Sequence, residues 1–163
     1  MKNKILIVDD DEHLLNSLSA ILESRNYKIQ TAQDRYSALE VLQEFIPDLI
    51  LLDVNMKTEQ EGYEMAQDLI QDEVYNKIPV VIMTNTEIVS GNDKIINIAR
   101  KFRNYPGFGQ INCILTVDGE NQKVLEYQSQ KTGKVVNLPV REVQSKPIQM
   151  DVLLGKIKKI LNN

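Results

Sequence analysis

The 163-residue chain has one cysteine, Cys113, so an internal disulfide is excluded and a reducing compartment suits it. It has one histidine, His13, one turn into an acidic helix start, which reads as a surface residue rather than a catalytic one. It has no surplus of positive charge. The 19 Lys and Arg stand against 23 Asp and Glu for a net charge of −4, which argues against a broad electrostatic footprint for nucleic acid. Long hydrophobic runs are missing too. MKNKILIVDDD places only four apolar residues after its basic start, too few for a signal-peptide core and far too few to span a membrane. The expectation is a cytoplasmic protein that contacts no membrane. No glycine-rich loop follows the first apolar run, which argues against a nucleotide-binding domain. There is no internal repeat and no low-complexity tract. What is there is 42% hydrophobic and 26% charged, ordinary for a globular protein, in a length that fits one domain with a real core.

Up to about residue 85 the rhythm is strand, helix, strand, helix. ILIV (5–8), YKIQTA (27–32), DLILLD (48–53) and IPVVIMTN (78–85) are short runs that read as strands, three of them continuously apolar. Between them, Leu14, Leu15, Leu18, Ile21 and Leu22 recur at helical spacing within 12–26. Ala38, Leu39, Leu42 and Phe45 do so behind a capping Asp34, with Pro47 as the stop, and Tyr63, Ala66, Leu69, Ile70 and Val74 do so after a polar loop. Solid apolar strands alternating with helices predict a parallel sheet covered on both faces, with right-handed crossovers and the carboxyl ends of the strands along one edge. Ligands of such sheets bind at that edge.

From Asp93 the pattern KIINIARKF predicts a helix to about Arg103, broken by YPGFG (105–109). The rhythm then changes. Ile111, Cys113, Leu115 and Val117 alternate as in a half-buried strand, and 123–128 and 135–140 read as two more strands joined by the turns DGEN and KTGK. This predicts a small antiparallel β insertion at 106–143 within a single domain of 1–163, with Cys113 packing as a small apolar residue. MDVLLGKIKKIL then supplies a last amphipathic helix, with Asp151 as its cap.

Asp9-Asp10, Asp53 and Thr84 end separate strands on the shared edge, and Lys146 stands further along before Pro147. Like carboxylates so close repel unless a cation or a helix N-terminus offsets them. Three converging carboxylates form a hard-oxygen site suited to Mg²⁺, beside which an aspartate can attack phosphorus to give an acyl phosphate. The metal, a lysine cation and a threonine hydroxyl then stabilise the transferring phosphoryl group. A plainer reading stays open, in which Asp9, Asp10 and Asp11 cap the first helix, Asp53 ends a strand, Thr84 fills one and Lys146 is solvated.

KILIVDDDE, PDLILLDVNM, PVVIMTN and SKP, in that order and on those elements, resemble the receiver domain of bacterial two-component response regulators over residues 2–85 and 146–161. The resemblance implies a flavodoxin-like, doubly wound parallel five-stranded sheet of order 2-1-3-4-5. It implies Asp53 as phospho-acceptor and Asp10 as a direct Mg²⁺ ligand, with Asp9 holding the ion's waters and the backbone carbonyl of Asn55 completing the protein ligands. Thr84 and Lys146 would bind the phosphoryl group, and Pro147 would be cis. Asp11 would be only a cap or a surface acid. The partners so implied are a histidine kinase or phosphotransfer protein and an unidentified downstream protein. No catalysis is expected beyond self-phosphorylation and self-dephosphorylation.

Several features depart from the family pattern. Some forty extra residues separate Thr84 from Lys146, and the expectation is that they rebuild a partner-binding or homodimer surface. Val143 occupies the usual place of an aromatic switch residue, which Tyr127 or Tyr105 would have to replace in space. Asn85 stands where a small residue is usual and would narrow access to Asp53. Lys57 replaces a usual proline, and the loop is one residue longer before Gly62. Two other functions compete. One is a phosphorylation-independent interaction module that signals through the insertion. The other is an Asp-nucleophile phosphohydrolase, against which stands Asn55, where such enzymes carry a second acid.

Overall fold

A computed structural model describes residues 3–106 and 111–162; of the expected helix-breaking stretch 105–109, residues 107–109 lie outside the described residues. The strands of the main sheet are β1 (Lys4–Val8), β2 (Lys28–Ala32), β3 (Leu49–Leu52), β4 (Val80–Thr84) and β9 (Glu142–Ser145). All pair in parallel in the order β2-β1-β3-β4-β9, the flavodoxin-like arrangement. The helices are α1 (Glu12–Ser24), α2 (Arg35–Glu44), α3 (Glu59–Gln71), α4 (Asp93–Phe102) and α5 (Met150–Leu161).

The continuous apolar runs follow from burial on both faces. Ile5, Ile7, Leu49, Leu51, Val81 and Met83 point to one side, where Leu15, Leu18 and Leu22 of α1 and Leu153 and Ile157 of α5 cover them. Leu6, Val8, Ile50, Leu52, Val80 and Ile82 point to the other, towards α2 and α3. Successive strand residues face opposite ways, so only an unbroken apolar string satisfies both layers. The caps are local. Asp34 and Ser37 form a capping box on α2, and Thr58 Oγ1 accepts from the Glu61 amide of α3 at 3.1 Å. Two helices stop earlier than their periodicity predicts. α1 ends at Ser24, and Asn26 takes the left-handed conformation at φ 69°. α3 ends at Gln71 because the Asp72 carboxylate accepts from the amides of Val74 and Tyr75, starting a 3₁₀ turn at Tyr75–Lys77 and leaving Val74 exposed.

The extra residues build a second sheet of order β5-β6-β7-β8, from β5 (Ile88–Ser90), β6 (Cys113–Val117), β7 (Lys123–Gln128) and β8 (Val135–Val140). β6, β7 and β8 are antiparallel, as expected, but β5 adds in parallel, so the sheet is mixed. Its inner face, with Cys113, Leu125, Tyr127, Val136, Leu138 and Val140, joins the core shared with α2 and α3. Its outer face carries α4, through Ile96, Ala99 and Ile114. The sheet is thus a layer between the main body and α4. That is why β6 departs from the half-buried pattern: Cys113 and Ile114 face opposite ways and both are fully buried, while Val117 projects at 60% exposure. Among the described residues no helix is long and apolar enough to cross a membrane.

Candidate functional site

The parallel register brings the ends of β1, β3, β4 and β9 to one edge. The Asp53 amide donates to Val8 O at 2.9 Å, and the Lys146 amide donates to Thr84 O at 3.0 Å. One carboxylate oxygen from each of Asp9, Asp10 and Asp53 lies within 4.8 Å of the other two. Asp9 and Asp53 are buried and Asp10 is half-buried. Lys146 Nζ donates to Asp9 Oδ2 at 2.6 Å and to Asp53 Oδ2 at 2.9 Å. The Lys146–Pro147 peptide is cis.

The three consecutive aspartates do different things. Asp11 caps α1, with Oδ1 accepting from the amides of His13 (3.0 Å) and Leu14 (3.2 Å), while its own amide donates to Asp9 Oδ1 at 2.9 Å. His13 is exposed on the surface. Asp9 is sealed under the edge, and burial pushes its carboxyl above the ordinary carboxylate value despite the pull of Lys146 and of the Asp11 amide. Burial lowers Lys146, but its bonds to Asp9 and Asp53 outweigh that and leave its pKa above the ordinary lysine value. The pair therefore holds its proton firmly. Three hard oxygen donors in this space, one of them disfavoured as a bare anion, fit a divalent cation of the Mg²⁺ class.

The surrounding residues fall where the loops take them. The Asn55 amide donates to Asp53 Oδ1 at 2.8 Å, and its exposed side chain donates to Asn85 Oδ1 at 3.0 Å, tying the loops after β3 and β4 together across the mouth. Thr84 is buried at the end of β4, and its Oγ1 accepts from the Thr86 amide at 3.1 Å. Val143 pairs with Ile82 and packs against the main core. Of the two tyrosines considered in its stead, Tyr105 stands 59% exposed beside Phe102 on α4. Tyr127, on β7, reaches the site: its hydroxyl donates to Val54 O, next to Asp53, at 3.1 Å. Ser129 Oγ donates to Gln60 Oε1 on the first turn of α3 at 2.8 Å. Sequence reading missed both contacts. The alternation of 123–128 places Tyr127 on an inward face, but no local signal says which loop that face meets.

Fold and site together define a flavodoxin-like α/β protein with a pocket of three converging carboxylates, a set that could hold a metal ion, at the carboxyl edge of its sheet. The chain belongs to the response regulator receiver domain family of two-component signalling, whose model matches residues 5–99. It is 38% identical over 84 residues to the response regulator PleD of Caulobacter vibrioides, 52% of this chain and 18% of that protein. It is 35% identical over 82 residues to the protein RcaC of Microchaete diplosiphon, 50% of this chain and 12% of that one. The match thus spans only a small part of these relatives. The chemotaxis response regulator CheY4 of Vibrio cholerae superposes with a TM-score of 0.62 at 19% identity, over 99% of this chain and 100% of that one. A CheY-like receiver domain from Methanospirillum hungatei also gives 0.62, at 18% identity over 99% and 95%. These structures share the fold.

Proposed function

We propose that the chain is a phosphoryl-accepting switch in which Asp53 takes a phosphoryl group from a histidine kinase or phosphotransfer protein, changing its contacts with a downstream protein. One observation carries this reading: Asp9, Asp10 and Asp53 converge on one spot, and the Lys146 ammonium joins two of them. In the step itself, a carboxylate oxygen of Asp53 attacks phosphorus as the phosphorus–nitrogen bond of a phosphohistidine breaks. The electron pair of that bond leaves with the imidazole, which takes a proton from solvent. Asp10, Asp53 and the Asn55 carbonyl would hold a Mg²⁺ ion, with Asp9 as support, and the ion would supply charge compensation for the carboxylates and phosphoryl oxygens. Lys146, already bonded to Asp53 Oδ2, pairs with the phosphoryl oxygens as charge develops, and the Thr84 hydroxyl binds another. Residues 106–143 are then an insertion within one receiver domain, 1–163, and a surface for partner binding or self-association.

The test is incubation with Mg²⁺ and acetyl phosphate, read by intact mass. A single added phosphoryl group that disappears when EDTA is included is the expected result. No modification and no Mg²⁺ binding would leave a phosphorylation-independent interaction module. Sustained turnover of phosphate esters would point to a hydrolase.

A further inference from the structure

One peptide unit joins the acidic pocket to the inserted sheet. The N–H of the Val54–Asn55 peptide donates to Asp53 Oδ1 at 2.8 Å, and the carbonyl of the same peptide accepts from Tyr127 Oη at 3.1 Å. A peptide unit is a rigid plane, so turning it disturbs both bonds at once. Gly62 of α3 crowds the same carbonyl, approaching it too closely for any side chain. The tyrosine is itself fixed: it is 3% exposed, and its ring packs against Tyr63 with centroids 6.2 Å apart. Its neighbour Glu126 points to the opposite face of β7, where the guanidinium of Arg100 on α4 and that of the buried Arg103 just beyond it hold its carboxylate. Consecutive residues of one strand thus touch the loop after Asp53 on one side and the α4 segment on the other.

We propose that Tyr127 is a positioning residue for phosphoryl transfer. Its hydroxyl sets the plane of the Val54–Asn55 peptide, and through it the Asp53 carboxylate and the Asn55 carbonyl, and it carries the state of Asp53 into the inserted sheet. The proposal rests on the reading of Asp53 as acceptor. The physical link is acceptor strength. An ionised carboxylate is a stronger acceptor than the ester-like oxygens of an acyl phosphate, so the Asn55 amide bond weakens when Asp53 is modified. Hydrogen bonds in series polarise one another, so the Tyr127 bond weakens with it. This route runs through β7 rather than β9, where Val143 has neither a ring nor a hydroxyl to move.

The full chain and its Tyr127→Phe variant, which keeps the ring and removes only the hydroxyl, test this in two readouts. Losing the bond is expected to weaken Mg²⁺ affinity by about threefold to tenfold in calorimetric titration. With tyrosine labelled at Cζ with carbon-13, the resonance absent from Tyr127→Phe is expected to shift when the wild type is phosphorylated by acetyl phosphate. Ser129→Ala cuts the sheet's bond to Gln60 without touching Val54, and its Mg²⁺ affinity is expected to match wild type. The proposal is overturned by an unchanged Mg²⁺ affinity in Tyr127→Phe, by a Tyr127 resonance that ignores phosphorylation, or by an equal loss in Ser129→Ala. A wild type that neither binds Mg²⁺ nor takes a phosphoryl group removes the acceptor reading itself, and this inference with it.

Discussion

Two helical glycines in this chain should respond to the same substitution with opposite signs. Gly155 lies mid-way along α5, and a Cβ built there meets nothing within 4 Å. Alanine at that position gains about 0.5–1 kcal/mol from helix propensity and from a less free unfolded chain. Gly62 lies in the first turns of α3, where a Cβ would fall well inside contact distance of Val54 O, 2.9 Å from Val54 C and 3.2 Å from Tyr127 Oη. Two of these atoms are backbone, so α3 or the loop after Asp53 must retreat. Overpacking of this kind costs about 1–3 kcal/mol, against a propensity gain of up to about 1 kcal/mol. With a propensity gain of about 1 kcal/mol taken off, the balance for Gly62→Ala is a loss of up to about 2 kcal/mol, or up to about 8 °C in Tm for a chain of this length. Gly155→Ala should rise by about 1–4 °C. Thermal unfolding followed by circular dichroism reads both, and a parallel Mg²⁺ titration should show weaker binding in Gly62→Ala alone. A Gly62→Ala protein as stable as Gly155→Ala, with wild-type Mg²⁺ affinity, would refute the close approach between α3 and the loop after Asp53.

Removing Lys146 leaves the Asp9 and Asp53 carboxylates facing each other under the sheet edge. In metal-free protein, Lys146→Met should cost on the order of 1–3 kcal/mol, less than for a fully enclosed pair because Asp9 can take up a proton. The folded pKa of Lys146 is raised, so its contribution is complete below the ordinary value of 10.5 and fades as pH rises through the folded value. Denaturation of the two proteins from pH 8 upward should give a stability difference that shrinks only above that point. Burial disfavours Asp9 as an anion, so Asp9→Asn should raise the Tm of metal-free protein at pH 7 while weakening Mg²⁺ binding, in matched scans with and without the ion. The Asn55–Asn85 bond closes the mouth over Asp53, so Asn85→Ala should speed phosphorylation by acetyl phosphate about twofold to tenfold in a stopped time course.

Much of the receiver body was legible because its signals are local. The two-sided burial of β1, β3 and β4 is written as solid apolar runs, and the caps at Asp11 and Asp34 are short-range bonds between neighbouring residues. The acidic pocket was legible for a different reason. Parallel crossovers fix which strand ends share an edge, so Asp9, Asp10 and Asp53 could be placed together before any distance was known. The insertion was legible as strands but not as a layer. Alternation in 111–117 announces a half-covered strand; it cannot announce that α4 covers the other half, since the covering residues Ile96 and Ala99 look the same on any amphipathic helix. β5 is three residues long and carries no pattern of its own; its parallel pairing with β6 is a tertiary event. The reach of Tyr127 to Val54, 73 positions away in sequence, belongs to the same class. Contacts between layers depend on how sheets stack, and nothing within a ten-residue window encodes that.

The central claim is that Asp53 is the atom source for a Mg²⁺-dependent acyl phosphate. The most direct measurement is peptide mapping by mass spectrometry after treatment with acetyl phosphate and Mg²⁺, on wild type and Asp53→Asn side by side. The account predicts one phosphoryl group, on the peptide that contains Asp53, in the wild type and none in the variant. A phosphoryl group on any other residue, or equal labelling of Asp53→Asn, would contradict it.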